Sequence, residues 1–120
     1  MVWTESGKAY MLKRMSDNVR DYITHIAIGT STPDFTNDTL GNEVARTAIS
    51  DIEVVDDKTY KFIASFPPET PNYDIEVSEL GLIADGYKTT GVFIDIISLT
   101  TPQTKTVENT LIVHYVVSVP

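Results

Sequence analysis

The chain has 120 residues, no cysteine and a formal net charge of -8. That length suits one domain able to bury a core without covalent staples, and the missing cysteine excludes disulfides and thiolate metal sites. The acidic balance repels a phosphate backbone, so no nucleic-acid partner is expected, and no apolar run is long enough for membrane insertion.

The opening residues 1–6 lack the basic-then-apolar pattern of a signal peptide, so synthesis in the cytoplasm is expected. The first twenty residues hold Lys8, Lys13, Arg14 and Arg20 against only Glu5 and Asp17, so the rest of the chain carries the whole acidic excess. Within them Ala9, Leu12 and Met15 fall at helical spacing. Thr4 or Ser6 can cap the start, Lys13 and Arg14 complement the negative end of the dipole, and Ser16, Asp17 and Asn18 stop the run. One short N-terminal α-helix is therefore expected in the segment 1–18. A helix this short is marginal alone and must rest on an apolar surface. Trp3, Tyr10, Lys13 and Arg14 form a candidate interface on it, docking onto an acidic neighbour; the plainer account is a solvated surface.

The remainder reads as strands. Residues 22–28 are rich in β-formers and end at Gly29, and a polar loop follows through Asp38. Residues 43–55 form the next extended stretch, with alternation at Ile52, Glu53 and Val54. Asp56, Asp57 and Lys58 make a turn into residues 59–66, where Tyr60, Phe62, Ala64 and Phe66 share one face and Ile63 breaks the pattern. Pro67, Pro68 and Pro71 interrupt regular structure. Ile75, Val77, Leu80 and Leu82 define another strand, kinked near Gly81; Asp85 and Gly86 turn the chain. Residues 92–99 are apolar on both faces, as a central covered strand should be. A loop is expected at 100–105, then a last strand with Leu111, Val113, Tyr115, Val117 and Val119 alternating against His114 and Ser118. The fold class is mainly β: an antiparallel β-sandwich with one short N-terminal helix, a single domain over 1–120 with the sandwich at 22–119.

Few residues suggest chemistry. His25 and His114 lie in separate strands without ligand-pair spacing, and each is better explained as a satisfied strand residue. No serine or threonine stands in a nucleophile motif. Glu76 and Glu79 differ by three positions, so a regular strand points them to opposite faces, unlike a glycosidase pair. The loop from Asp34 to Asp38 offers hard oxygen ligands suited to calcium, but it lacks the EF-hand glycine and distal glutamate; a loop capped by its own side chains is simpler. Trp3, Tyr10, Tyr22, Tyr73 and Tyr87 fall outside the clearest core pattern and can stack on a sugar or a partner if exposed. No catalytic residue, metal or cofactor is expected.

Four stretches, in order, resemble phage tail-fibre and tail-appendage structural proteins. After an opening Thr4-Glu5-Ser6-Gly7-Lys8-Ala9, the run Tyr22-Ile23-Thr24-His25-Ile26-Ala27-Ile28-Gly29-Thr30-Ser31 leads through a polar loop to Leu40-Gly41-Asn42-Glu43-Val44-Ala45-Arg46. Val77-Ser78-Glu79-Leu80-Gly81-Leu82-Ile83 and Thr104-Lys105-Thr106-Val107-Glu108-Asn109-Thr110-Leu111-Ile112-Val113 complete the set. Ser31 stands where the family usually has a second glycine, and the proline-rich loop at 67–71 is unusual. The resemblance implies a non-enzymatic virion structural protein that self-assembles as a homo-oligomer and contacts other virion proteins. The alternative is a receptor- or carbohydrate-binding module at an appendage tip, meeting a host surface glycan or protein. Glu43 with Arg46, or Arg46 with Glu79, is the expected structural ion pair.

Overall fold

A computed structural model describes residues 2–4, 23–84 and 91–118. The regular elements among them are all strands: β1 (Val2–Trp3), β2 (Ile23–Gly29), β3 (Glu43–Ala48), β4 (Asp51–Val54), β5 (Thr59–Phe66), β6 (Ile75–Ala84), β7 (Val92–Lys105) and β8 (Leu111–Ser118). They form two antiparallel sheets, ordered β1-β7-β6-β2-β3 and β4-β5-β8. The mainly β, two-sheet expectation therefore holds. No helix occurs among the described residues, and the run expected to form one, with Tyr10, Lys13 and Arg14, lies outside them. Ahead of the positions expected to cap that helix, Val2 pairs with Ile96 and Trp3 with Asp95. Thr4 continues that contact, its hydroxyl donating to the Phe93 carbonyl at 2.8 Å, so Thr4 is fastened to β7.

Side-chain alternation builds the core between the sheets. Tyr60, Phe62, Ala64 and Phe66 of β5 and Leu111, Val113, Tyr115 and Val117 of β8 face Ile26 and Ile28 of β2, Leu82 of β6 and Ile94 of β7. Phe62 and Phe66 lose all solvent exposure, each contributing about 2–3 kcal/mol by burial. A second, smaller cluster lies on the outer face of the larger sheet: Ala27, Ile83 and Ile96, with Leu40 from the β2–β3 loop and Phe93 against them. With Ile96 and Phe93 in this outer cluster and Ile94 in the core, residues 92–99 are apolar on both faces. β7 is indeed internal, between β6 and β1.

One extended stretch supplies strands to both sheets. Ile49 donates its N–H to Thr24 of β2, and the next residue, Ser50, donates to Ile63 of β5. The chain thus changes sheets between β3 and β4 without reversing direction, matching the single extended stretch read at 43–55. The expected loop at 100–105 is corrected: β7 runs to Lys105, which pairs with Ile75. The strand survives its proline because Pro102 falls in an irregular stretch between the pairs Val77–Gln103 and Glu79–Ser98, where no ladder hydrogen bond needs its missing N–H.

Registers place the β2–β3, β5–β6 and β7–β8 connections at one end of the two sheets, since Gly29 lies opposite Glu79, Ile75 opposite Lys105, and Phe66 opposite Leu111. Phe35, Tyr73 and Val107 are exposed in these three loops.

Candidate functional site

The polar groups of the loop-bearing end converge on Glu79. This residue sits on the outward side of β6, fully buried. Its Oε1 accepts the Gly41 N–H at 2.7 Å; its Oε2 accepts those of Asn42 at 2.8 Å and Ser31 at 3.0 Å. Three backbone donors from the two arms of the β2–β3 loop thus share one carboxylate, a strong and directional arrangement. Ser78 reinforces it by donating its hydroxyl to the Ser31 carbonyl at 2.7 Å, and the Asn42 side chain reaches the Thr30 hydroxyl at 2.8 Å. Gly29 is required here, because a Cβ at that position would collide with the Glu79 carboxylate and the Asn42 carbonyl. The latch holds the loop closed, and Leu40 from it packs into the outer apolar cluster.

Of the two alternatives expected for Arg46, Glu79 is taken up by the loop backbone. Its charge is used on main-chain donors. Arg46 pairs with Glu43 instead, Nε to Oε2 at 2.6 Å and Nη2 to Oε1 at 2.7 Å. Residues three apart on a regular strand face opposite ways. A register shift at Ile28/Gly29, which pairs Gly29 with Glu43 but Ile28 with Ala45, brings Glu43 and Arg46 to the same face. His25 lies beside this pair. Burial and then the Arg46 charge hold its pKa below the ordinary value, against a raising influence from Glu43.

Gly81, two residues on, serves a different contact. A Cβ there would stand 2.5 Å from the Phe93 ring, so the ring lies directly over the glycine. The sequence Glu79-Leu80-Gly81-Leu82 thus alternates latch, core residue, ring seat and core residue.

A second fastening lies at Lys105, also fully buried. Its ammonium donates to the carbonyls of Thr106 at 3.3 Å, Asn109 at 3.4 Å and Pro68 at 3.5 Å. Around it the β7–β8 turn closes on itself: Thr106 N–H to Asn109 Oδ1 at 2.9 Å, Glu108 N–H to the Thr106 hydroxyl at 3.2 Å. Val107 N–H donates to Asp74 Oδ1 at 3.0 Å. One lysine thereby ties the β5–β6 connection to the β7–β8 turn.

The third buried ion-forming group is Asp95, on β7 opposite Leu82 and fully buried in the interior. Burial raises its pKa to about 7; the nearby Tyr115 hydroxyl tempers the rise. The two groups face each other across the sheets without reaching hydrogen-bond geometry. Tyr115 is likewise pushed upward, by burial first and then by the Asp95 charge. A carboxyl and a phenol confront one another here in an apolar core, with Ile94 and Tyr115 part of the same cluster.

The remaining sequence candidates are dispersed. His25 faces outward on the larger sheet and His114 outward on the smaller one. Glu76 is exposed and accepts from the Thr104 hydroxyl at 2.6 Å, whereas Glu79 is buried in its latch. In the candidate calcium loop, Asp34 accepts the N–H groups of Thr36 and Asn37 at 3.0 Å and the Asn37 side-chain amide at 2.8 Å. The Asn37 side-chain bond and then its backbone bond lower the Asp34 pKa, and Asp38 adopts φ 56° to close the turn. No cluster of metal-ligating side chains occurs among the described residues. Of the candidate interface, Trp3 lies in β1, while Tyr10, Lys13 and Arg14 are outside the described residues.

Glu79 and Lys105 thus hold the loop-bearing end of the molecule while Asp95 is buried in its interior, and reading by motif chemistry assigned none of them these places. A signal was present for one. Asp95 is the only ionisable residue in the apolar run 92–99, where a carboxyl must be either buried or strand-breaking. Neither the protein-family models nor the curated proteins searched give a match to this chain.

Proposed function

We propose that this protein is a virion structural protein, a subunit of a phage tail fibre or similar surface appendage, that acts by self-assembly and protein–protein contacts rather than by catalysis. One observation carries the reading. Stretches of the chain that resemble tail-appendage proteins, far apart in sequence, meet in framework devices. Gly29, Gly41, Asn42 and Glu79 make the loop latch, Gly81 seats Phe93, and Lys105 through Asn109 make the fastened turn. Their chemistry is spent on backbone hydrogen bonds and close packing, as a repeated building block requires, and not on a cleft with converging acid and base. In this reading the protein is made in the host cytoplasm and reaches the virion by assembly.

Sedimentation velocity over a hundredfold concentration range tests it: the isolated protein is expected to form a defined oligomer. A single monomeric species throughout would count against assembly. A second reading, a receptor- or carbohydrate-binding tip, is favoured by Phe35, Tyr73 and Val107 standing exposed in three loops at the same end. It predicts that Phe35→Ala with Tyr73→Ala abolishes adhesion of the protein to host cells while leaving its oligomeric mass unchanged.

A further inference from the structure

We propose that β8 is the surface through which two copies of this chain pair, edge to edge and antiparallel, about a two-fold axis at His114. The inference rests on the assembly reading above and names its contact. β8 ends the smaller sheet, and among the described residues no strand covers its other edge. Along its eight residues, about 27 Å, alternate N–H and C=O groups therefore face outward.

Sheet edges in soluble proteins are usually blunted by charge, by proline or by brevity. The other edges here follow that rule. β1 has 2 residues, β3 carries Glu43 and Arg46, and β4 has 4 residues including Asp51 and Glu53. β8 follows none of it. The sequence from Leu111 to Ser118 contains no charged residue and no proline. On its outer face Ile112 is 58% exposed and Val116 44%, flanking the exposed His114.

Two features select a second copy as the occupant. The chain carries a net charge of -8, so two copies repel one another over most approaches, and an uncharged strip is where they can close. The strip is also self-complementary. A two-fold axis at His114 sets Ile112 of each chain opposite Val116 of the other, so one pair of exposed apolar residues satisfies both partners. Beside β8 lie two shallow clefts lined by Leu80, Ile97 and Leu99 of the larger sheet. In the pair these face their own copies across the axis, adding apolar area that a strand edge alone does not provide.

The test uses the full chain. Because it has no cysteine, His114→Cys places a single thiol on the axis, where facing cross-strand positions lie within disulfide reach. Mild oxidation is expected to convert this variant to a covalent dimer, with Val107→Cys, exposed but away from the strand, at least about tenfold slower. Ile112→Lys with Val116→Lys sets like charges opposite and is expected to weaken association roughly tenfold or more; Ile112→Lys with Val116→Glu sets opposite charges at the same two positions and restores it. Circular dichroism and thermal unfolding confirm that each variant is folded. A wild-type protein that stays monomeric overturns both the assembly reading and this contact. A wild-type oligomer whose mass the double-lysine variant leaves unchanged, or that does not cross-link through position 114, overturns this contact alone.

Discussion

Replacing Asp95 with asparagine removes one titration from the core and leaves the shape almost unchanged. In the folded protein this carboxyl ionises near pH 7 because burial opposes its charge; in the unfolded chain it ionises near 3.8, the ordinary value for an aspartate. The folded pKa is the higher, so its contribution to stability is complete below the unfolded value and is lost as pH rises through the folded one. From pH 4.5 to 8.5 the loss amounts to about 3 kcal/mol, at 1.36 kcal/mol per unit. Asp95→Asn has no such term. Urea denaturation of both proteins at half-unit steps across that range gives a difference curve in which other groups cancel. Asp34 and Asp56 have lowered values, caused first by the Asn37 side chain and by the Lys58 backbone N–H respectively, so they act below about pH 4, outside the window. The wild type is expected to lose ground steadily to Asp95→Asn from pH 4.5 to 7.5 and then level off. A difference constant within about 0.5 kcal/mol would refute a buried, proton-binding Asp95.

Further consequences follow from the latch and its neighbours. Glu79→Ala leaves three N–H groups without their acceptor and should cost about 3–5 kcal/mol in denaturant unfolding, with selective loss of hydrogen-exchange protection at Ser31, Gly41 and Asn42. Gly81→Ala should be strongly destabilising in wild type but much less so on a Phe93→Ala background; additive effects in that double-mutant cycle would show that the ring contact is not the cause. Millimolar calcium should shift the melting temperature by no more than about 1 °C, since Asp34 is occupied by its own loop; a larger rise abolished by Asp34→Ala would reverse that assignment.

These contacts explain the residue types at four positions. Glycine at 29 is explained by the carboxylate that would meet any side chain there, and glycine at 81 by the ring above it. Glutamate at 79 and lysine at 105 are explained by carbonyls and amides that would otherwise be buried without partners.

Alternation by itself determined the β class and the inward faces of β5 and β8, because a period of two is written locally and burial follows it; the internal position of β7 was legible instead in a run apolar on both faces. Sequence could also place Glu43 and Arg46 near each other in the chain. Only the tertiary structure decided that they share a face, since the shift at Gly29 that reverses the parity of β3 arises from pairing with another strand. The same holds for Glu79, whose three partners lie 37, 38 and 48 positions away. Asp95 belongs with them, because its pKa is set by apolar side chains and a tyrosine from the opposite sheet. Local pattern fixes which way a side chain points; what it meets there depends on segments that come together only when the sheets close.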